Sequence, residues 1–172
     1  MDLFQNPFHI LGATPRDNSG KISDLADERR LLLNSSGCTQ ACSVLTNPRK
    51  RLSAEIAWIP GLSPKNAEKI VTWFSKPVQA IPSPTTLDAL SPMARANILA
   101  SGLKRLARYN SNNVAQWVLP LAWAFEDIDP EELCAIINEE RIVSGFSKVT
   151  DLSAVETEIQ ERRSHYKQAI KS

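Results

Sequence analysis

The chain has 172 residues, of which 42% are hydrophobic, so it is long enough to bury a core that needs no metal or disulfide. Its 20 Lys and Arg residues nearly balance its 19 Asp and Glu residues. The resulting net charge of +1 excludes a protein whose overall charge attracts bulk nucleic acid or an acidic membrane, although a local basic patch is compatible with it.

The cysteines and the apolar segments indicate a reducing compartment and no membrane. The three cysteines, Cys38, Cys42 and Cys134, are odd in number, and the opening residues lack a basic segment followed by an apolar one. The most apolar stretch, 114–125, is interrupted by Pro120 and falls short of the roughly 20 residues that a membrane span requires. We therefore expect a cytoplasmic protein in which this stretch forms a buried core helix.

Capping residues that stand before a proline predict helix starts in the first third of the chain. Asn6-Pro7 begins a very short helix that Gly12 stops. Apolar residues at helical spacing predict a second helix from about Ser19, which ends between residues 34 and 37. A third helix starts near Cys38 and ends before Asn47-Pro48, where the capping signal repeats.

The fourth predicted helix begins at Pro48 and ends at Pro60-Gly61. Its basic residues are expected to face solvent and its apolar residues to face inward. The basic residues are Arg49, Lys50 and Arg51, and the apolar ones are Leu52, Ile56 and Trp58.

Five more helices are predicted, and no run of alternating apolar and polar residues predicts a strand. The fold class is therefore all-α, with a first unit over residues 1–62, a C-terminal helical bundle over 63–172 and a proline-rich connector at about 76–86. The five helices are expected at residues 63–74, 92–109, 113–125, 130–144 (capped by Asp129 and ended by Gly145) and 151–170.

The segment 6–12, NPFHILG, resembles the opening of a J-domain, and the segment 44–51, VLTNPRKR, is similar to the end of one. The resemblance covers about Leu3 to Trp58 and implies a J-domain-like helical hairpin unit. In that family a His-Pro-Asp tripeptide between the second and third helices stimulates a heat-shock ATPase chaperone. Residues 33–37 read LNSSG here, so the tripeptide is missing.

The predicted second helix also lacks the basic surface with which the family docks on its chaperone. Its charged residues have mixed signs, so the field that would steer an acidic cleft is mostly cancelled. These residues are Lys21, Asp24, Asp27, Glu28, Arg29 and Arg30. We expect a degenerate J-like scaffold that does not stimulate the ATPase by the usual mechanism.

Candidate chemistry is sparse, and we expect neither an enzyme nor a cofactor or metal site. The chain has two histidines, His9 on a partly solvated helix side and His165 at the surface, and the sequence does not bring them together. Cys38 and Cys42 supply half of a soft metal site but lack a second ligand pair, so small buried thiols are the better interpretation. No glycine pattern matches a phosphate-binding loop.

Two binding surfaces are then predicted, and a protein partner is the leading hypothesis. Trp58, Trp73 and Phe74 stand near turns, where a partly exposed aromatic can anchor a partner, although core packing is the default for such residues. The last helix carries an amphipathic stripe that can pair with another chain if it is not packed within this one. The stripe consists of Leu152, Val155, Ile159, Tyr166 and Ile170.

The alternative hypothesis is a nucleic-acid-associated regulator that uses local basic clusters. Basic residues that meet on one face can track phosphates, but acidic neighbours dilute each cluster, and no recognition motif stands out. The candidate patch consists of Arg49, Lys50, Arg51, Lys104, Arg105 and Arg108. The sequence leaves the partner's identity and the oligomeric state open.

Overall fold

The protein is all-α in a computed structural model that describes residues 1–33, 36–75, 83–108 and 115–171. Within these ranges the chain forms α-helices and short 3-10 turns and no strand, which confirms the predicted fold class. The α-helices are α1 (Pro7–Leu11), α2 (Ser19–Leu33), α3 (Ser36–Thr46), α4 (Pro48–Ile56), α5 (Pro64–Ser75), α6 (Pro92–Arg108), α7 (Ala115–Glu126), α8 (Pro130–Ser144) and α9 (Leu152–Lys171).

Local capping chemistry sets several helix ends where the sequence predicts them. The side chains of Asn6, Asn47 and Asp129 each accept hydrogen bonds from backbone N–H groups in the first turn of α1, α4 and α8. A proline follows each cap and begins the helix. Gly12 and Gly145 end α1 and α8 in the left-handed conformation, with φ of 65° and 76°, which a glycine adopts without strain.

The two predicted regions contribute to one buried hydrophobic cluster. Phe8 of α1 and Leu45 of α3 belong to the same cluster as Leu99 of α6 and Trp117 of α7. Part of the predicted connector, residues 76–82, lies outside the described residues. The rest includes a 3-10 turn over Pro84–Leu87.

Helix α7 was expected to be a buried core helix, and this prediction is wrong for one of its faces. Trp117 and Leu121 are buried, but Leu119 and Trp123 are each 60% exposed. The reason is that α7 packs mainly on α6. At that contact the ring of Trp117 lies so close to Gly102 that a Cβ atom there would be 2.3 Å from Cζ3.

Helix α9 packs against α4, α6, α7 and α8 and so joins the two halves of the fold. Val155, Ile159 and Tyr166 point inward and are buried. None of the described helices is both long and apolar enough to cross a lipid bilayer.

Candidate functional site

An open groove of about 770 Å³ runs between α7 and α9. We refer to it as the α7–α9 groove. Apolar and aromatic side chains from both helices line it, as expected for a site that takes up an apolar surface. They are Leu121, Phe125, Ile159, Tyr166 and Ile170.

Polar and charged side chains of α9 form one rim of the groove. Glu156, Gln160, Arg163 and Lys167 recur every three or four residues, so they share one face of the helix, and all four are exposed. The described residues supply no salt-bridge partner to Glu156, Arg163 or Lys167. The guanidinium of Arg163 lies above the ring of Phe125, with its Cζ atom 5.9 Å from the ring centre.

Helix α7 adds exposed apolar surface beside the groove. Leu119 and Trp123 are one turn apart, and Glu126, which lines the groove, follows in the next turn. Exposed side chains of this size are individually common. Neither of these two lines the groove itself, but the residues three positions further along α7, Ala122 and Glu126, do.

A second groove, of about 790 Å³, lies between α1 and α5. Its apolar lining includes Phe8 and Trp58, which are themselves buried. No large, exposed apolar side chain of the described residues lines it, whereas Ile170, 44% exposed, lines the α7–α9 groove. The α7–α9 groove is therefore the better candidate for binding.

The structure corrects two of the predicted aromatic anchors. Trp58 and Phe74, for which core packing was the default and a partly exposed anchor the alternative, are only 7% and 1% exposed. Each packs on another ring: Trp58 on Phe8 with centres 6.1 Å apart, and Phe74 edge-on against Phe4 at 5.9 Å. Trp73 is half-buried. Core packing therefore explains Trp58 and Phe74.

The predicted stripe on α9 is mostly used within the chain. Val155, Ile159 and Tyr166 are buried, Leu152 is half-buried, and Ile170 is exposed. The edges of Ile159 and Tyr166 still reach the α7–α9 groove, together with Ile170. The structure thus brings three members of the stripe to one surface.

The predicted exposure of Arg51 is wrong, because its side chain is fully buried in an ionic network. Its Nε donates to Oε1 of Glu55 at 2.7 Å, and its other nitrogens donate to the carbonyl oxygens of Leu45 and Pro15. The ring of Phe146 stacks 4.1 Å from the guanidinium. Burial lowers the pKa of Arg51, against the opposing effect of Glu55.

Arg141 of α8 completes this network from the other half of the chain. Its Nε and Nη2 donate to Oε2 of Glu55 at 2.9 and 2.8 Å, and it also donates to the carbonyl oxygens of Pro48 and Ser147. Two guanidinium groups therefore share one buried carboxylate, and backbone carbonyls accept several of their remaining N–H groups.

The predicted basic patch is reduced by the burial of Arg51. Arg49 and Lys50 are exposed at the start of α4, and Lys104 and Arg105 are half-buried on α6. The side chain of Arg108 lies outside the described part of the structure. The first cluster therefore offers two exposed cations instead of three.

A second buried polar network centres on Asn97 of α6. Its Nδ2 donates to the carbonyl oxygens of Ile56 and Trp58 at 2.7 and 2.8 Å. Its Oδ1 accepts from Nε and Nη2 of Arg162 and from the hydroxyl of Tyr166, at 3.0, 2.7 and 2.6 Å. One amide thus ties the end of α4 to α9 behind the groove.

The expectation that His165 is a surface residue is wrong. The ring is half-buried, and its Nδ1 lies 3.4 Å from the amine nitrogen of Met1. Burial, followed by the nearby charges of Arg162, Met1 and Lys104, lowers the pKa of His165 to about 3. The imidazole is therefore neutral at physiological pH.

Sequence reasoning missed the buried polar residues and the exposed face of α7. A signal was present for Arg141, which follows Leu133 and Ile137 at four-residue spacing, and these two residues are buried. Arg162 likewise lies between Ile159 and Tyr166 on the inward face of α9. A charged residue in an apolar stripe indicates a buried ionic or polar network.

Comparison with known proteins gives no relative from which a function could be transferred: no family model, no curated protein and no solved structure matches this chain.

Proposed function

We propose that this protein is a non-enzymatic helical adaptor that binds a protein partner through the α7–α9 groove. The observation that carries the proposal is the exposure of Leu119 and Trp123 beside a groove with an aromatic lining. Large aromatic side chains that become desolvated on binding supply much of the affinity of protein interfaces.

The shape of the groove favours a helix as the bound element. The α9 residues that line it extend from Ser153 to Ile170, a rise of roughly 25 Å at 1.5 Å per residue. An apolar face of a partner helix lies along such a groove through anchors spaced three or four residues apart. The partner helix would then cover Trp123 and Ile170, which are now exposed.

The proposed binding does not involve the J-like scaffold of residues 1–62. The α7–α9 groove belongs to residues outside that unit, so binding there does not require the missing tripeptide. We propose that the J-like unit does not stimulate a heat-shock ATPase by the usual mechanism.

The test compares two double variants, each of which removes two exposed apolar side chains. The tagged full-length variants are used in a pull-down from cell extract that has been treated with nuclease. The groove variant carries Leu119→Ala and Trp123→Ala. The matched control carries Ile142→Ala and Val143→Ala on α8, where the side chains are 59% and 63% exposed. Circular dichroism verifies that both variants fold.

We expect discrete proteins to be retained after nuclease treatment by the parent chain and the α8 control, and lost by the groove variant. Retention of the same proteins by both variants would contradict the proposal. Loss of all bound material on nuclease treatment would favour the nucleic-acid alternative instead.

A further inference from the structure

The charges along α9 are arranged so that the helix complements a second copy of itself. We infer that the occupant of the α7–α9 groove is another molecule of this protein, with the two α9 helices antiparallel about a two-fold axis. This inference rests on the proposed function, because it names the partner at the proposed surface.

The positions of the rim residues carry the inference. Glu156 and Lys167 lie equally far from the midpoint between Glu161 and Arg162, on opposite sides of it. When two α9 helices run antiparallel with the axis at that midpoint, Glu156 of each copy faces Lys167 of the other. Both side chains are exposed, and the described residues offer neither of them a salt-bridge partner within its own chain.

Two further pairs of exposed groove residues on α9 follow the same symmetry. Gln160 faces Arg163, and the small residue Ser153 faces the large residue Ile170, all four of which are exposed. Pairing small with large side chains lets two helices approach closely and fill the space between them. The contact is isologous, because each copy presents the same surface.

The charges also select the orientation of the pair. A parallel arrangement in the same register would place Lys167 beside Lys167 and Glu156 beside Glu156, which repel each other. The apolar side chains provide the driving force, since Leu119, Trp123 and Ile170 are all exposed in the single chain. The rim charges then decide which arrangement forms.

The experiment measures the dissociation constant of the full chain by sedimentation equilibrium, for the parent and three variants. Glu156→Lys alone and Lys167→Glu alone each create two like-charge contacts in the symmetric dimer. Each should weaken it by about tenfold at low salt, because symmetry doubles a small effect per pair. The variant with both substitutions restores opposite charges and should dimerise like the parent.

Mixing the two single variants provides a second readout. Each single variant has like charges at both contacts of its homodimer. A heterodimer of the Glu156→Lys chain and the Lys167→Glu chain has opposite charges at both contacts. The mixture should therefore form heterodimers at concentrations where either variant alone is monomeric. Added salt should reduce these differences.

Three results would overturn the inference: a parent chain that is monomeric at every concentration, a double variant no tighter than the single ones, or a dimer that is lost with Ile142→Ala and Val143→Ala but kept with Trp123→Ala. A monomeric parent whose pull-down partners still depend on Leu119 and Trp123 would leave the proposed function intact. Failure of the proposed function has a different signature, since the groove variant then retains every partner.

Discussion

The carboxylate of Glu55 on α4 accepts hydrogen bonds from the guanidinium of Arg141 on α8, 86 residues further along the chain. Both side chains are 3% exposed. Because Arg51 shares the same carboxylate, Glu55→Gln would leave two buried guanidiniums without their counter-charge. We expect the free energy of unfolding to fall by about 3 to 5 kcal/mol, measured by urea denaturation.

The control for this substitution is the pair between Arg16 and Glu140, whose carboxylate side chain is 12% exposed. Arg16 is 50% exposed and donates to Glu140 at 2.8 Å. Arg16→Gln should change the free energy of unfolding by no more than about 1 kcal/mol. A similar cost for Glu55→Gln and Arg16→Gln would show that the buried network adds nothing beyond a pair with a solvent-exposed arginine.

Asn97→Ala should be among the more damaging substitutions in α6. It removes the acceptor for Arg162 and Tyr166 and the donor to two backbone carbonyls, all in a buried environment. We expect a loss of about 3 to 5 kcal/mol, against about 1 kcal/mol for Tyr166→Phe, which removes a single hydroxyl. Thermal unfolding compares the two, and equal losses would contradict the central role of Asn97.

Gly102→Ala should destabilise the protein although alanine is the better helix former. The added Cβ would lie 2.3 Å from the ring of Trp117, so either the ring or the two helices must shift. We expect a cost of about 1 to 3 kcal/mol from this overpacking. Gly20→Ala in α2 is the matched control, since its Cβ would meet nothing closer than 3.4 Å, and we expect it to stabilise by about 0.5 kcal/mol.

The free energy of unfolding should decrease as the pH falls below about 6.5, in part because of His165. Its pKa is about 3 in the folded protein against 6.5 ordinarily, so over that interval the unfolded chain binds a proton that the folded protein does not. The contribution of His165 to the free energy of unfolding is fully present above the ordinary pKa of 6.5. It is lost as the pH falls towards the folded-state pKa of about 3. His165→Asn should flatten the dependence, measured by urea denaturation between about pH 4 and 7.

Part of the pH dependence should survive in that variant. Burial also lowers the pKa of His9, which therefore acts with the same sign. His9→Asn combined with His165→Asn should flatten the curve further than either substitution. An unchanged slope in His165→Asn would contradict the lowered pKa of that residue.

Helix ends were predictable because their causes are local. Asn6, Asn47 and Asp129 cap the first turn of the helix that follows each of them. Gly145 ends α8 at the position predicted from the sequence. The α9 stripe was equally visible, since Ile159, Tyr166 and Ile170 recur at helical spacing, and all three line the groove.

The burial of Arg51 and the exposure of Trp123 were not predictable from local pattern. Charge on an amphipathic helix usually faces water, and Arg51 is buried only because Glu55 and distant carbonyls such as that of Pro15 surround it. Trp123 belongs to an almost wholly apolar helix, which indicates burial until the packing of α7 on α6 decides which face is covered. Both outcomes depend on contacts between segments far apart in sequence.

The ionic network has a consequence for the order of events during synthesis. When the first four helices have left the ribosome, Arg51 and Glu55 are already present, but Arg141 is still to be translated. The buried charges of α4 cannot be fully paired until α8 has emerged from the ribosome. The N-terminal helices therefore cannot complete their native packing before the C-terminal helices are synthesised. Contacts between residues far apart in sequence are associated with slower folding, so we expect the core to be completed late.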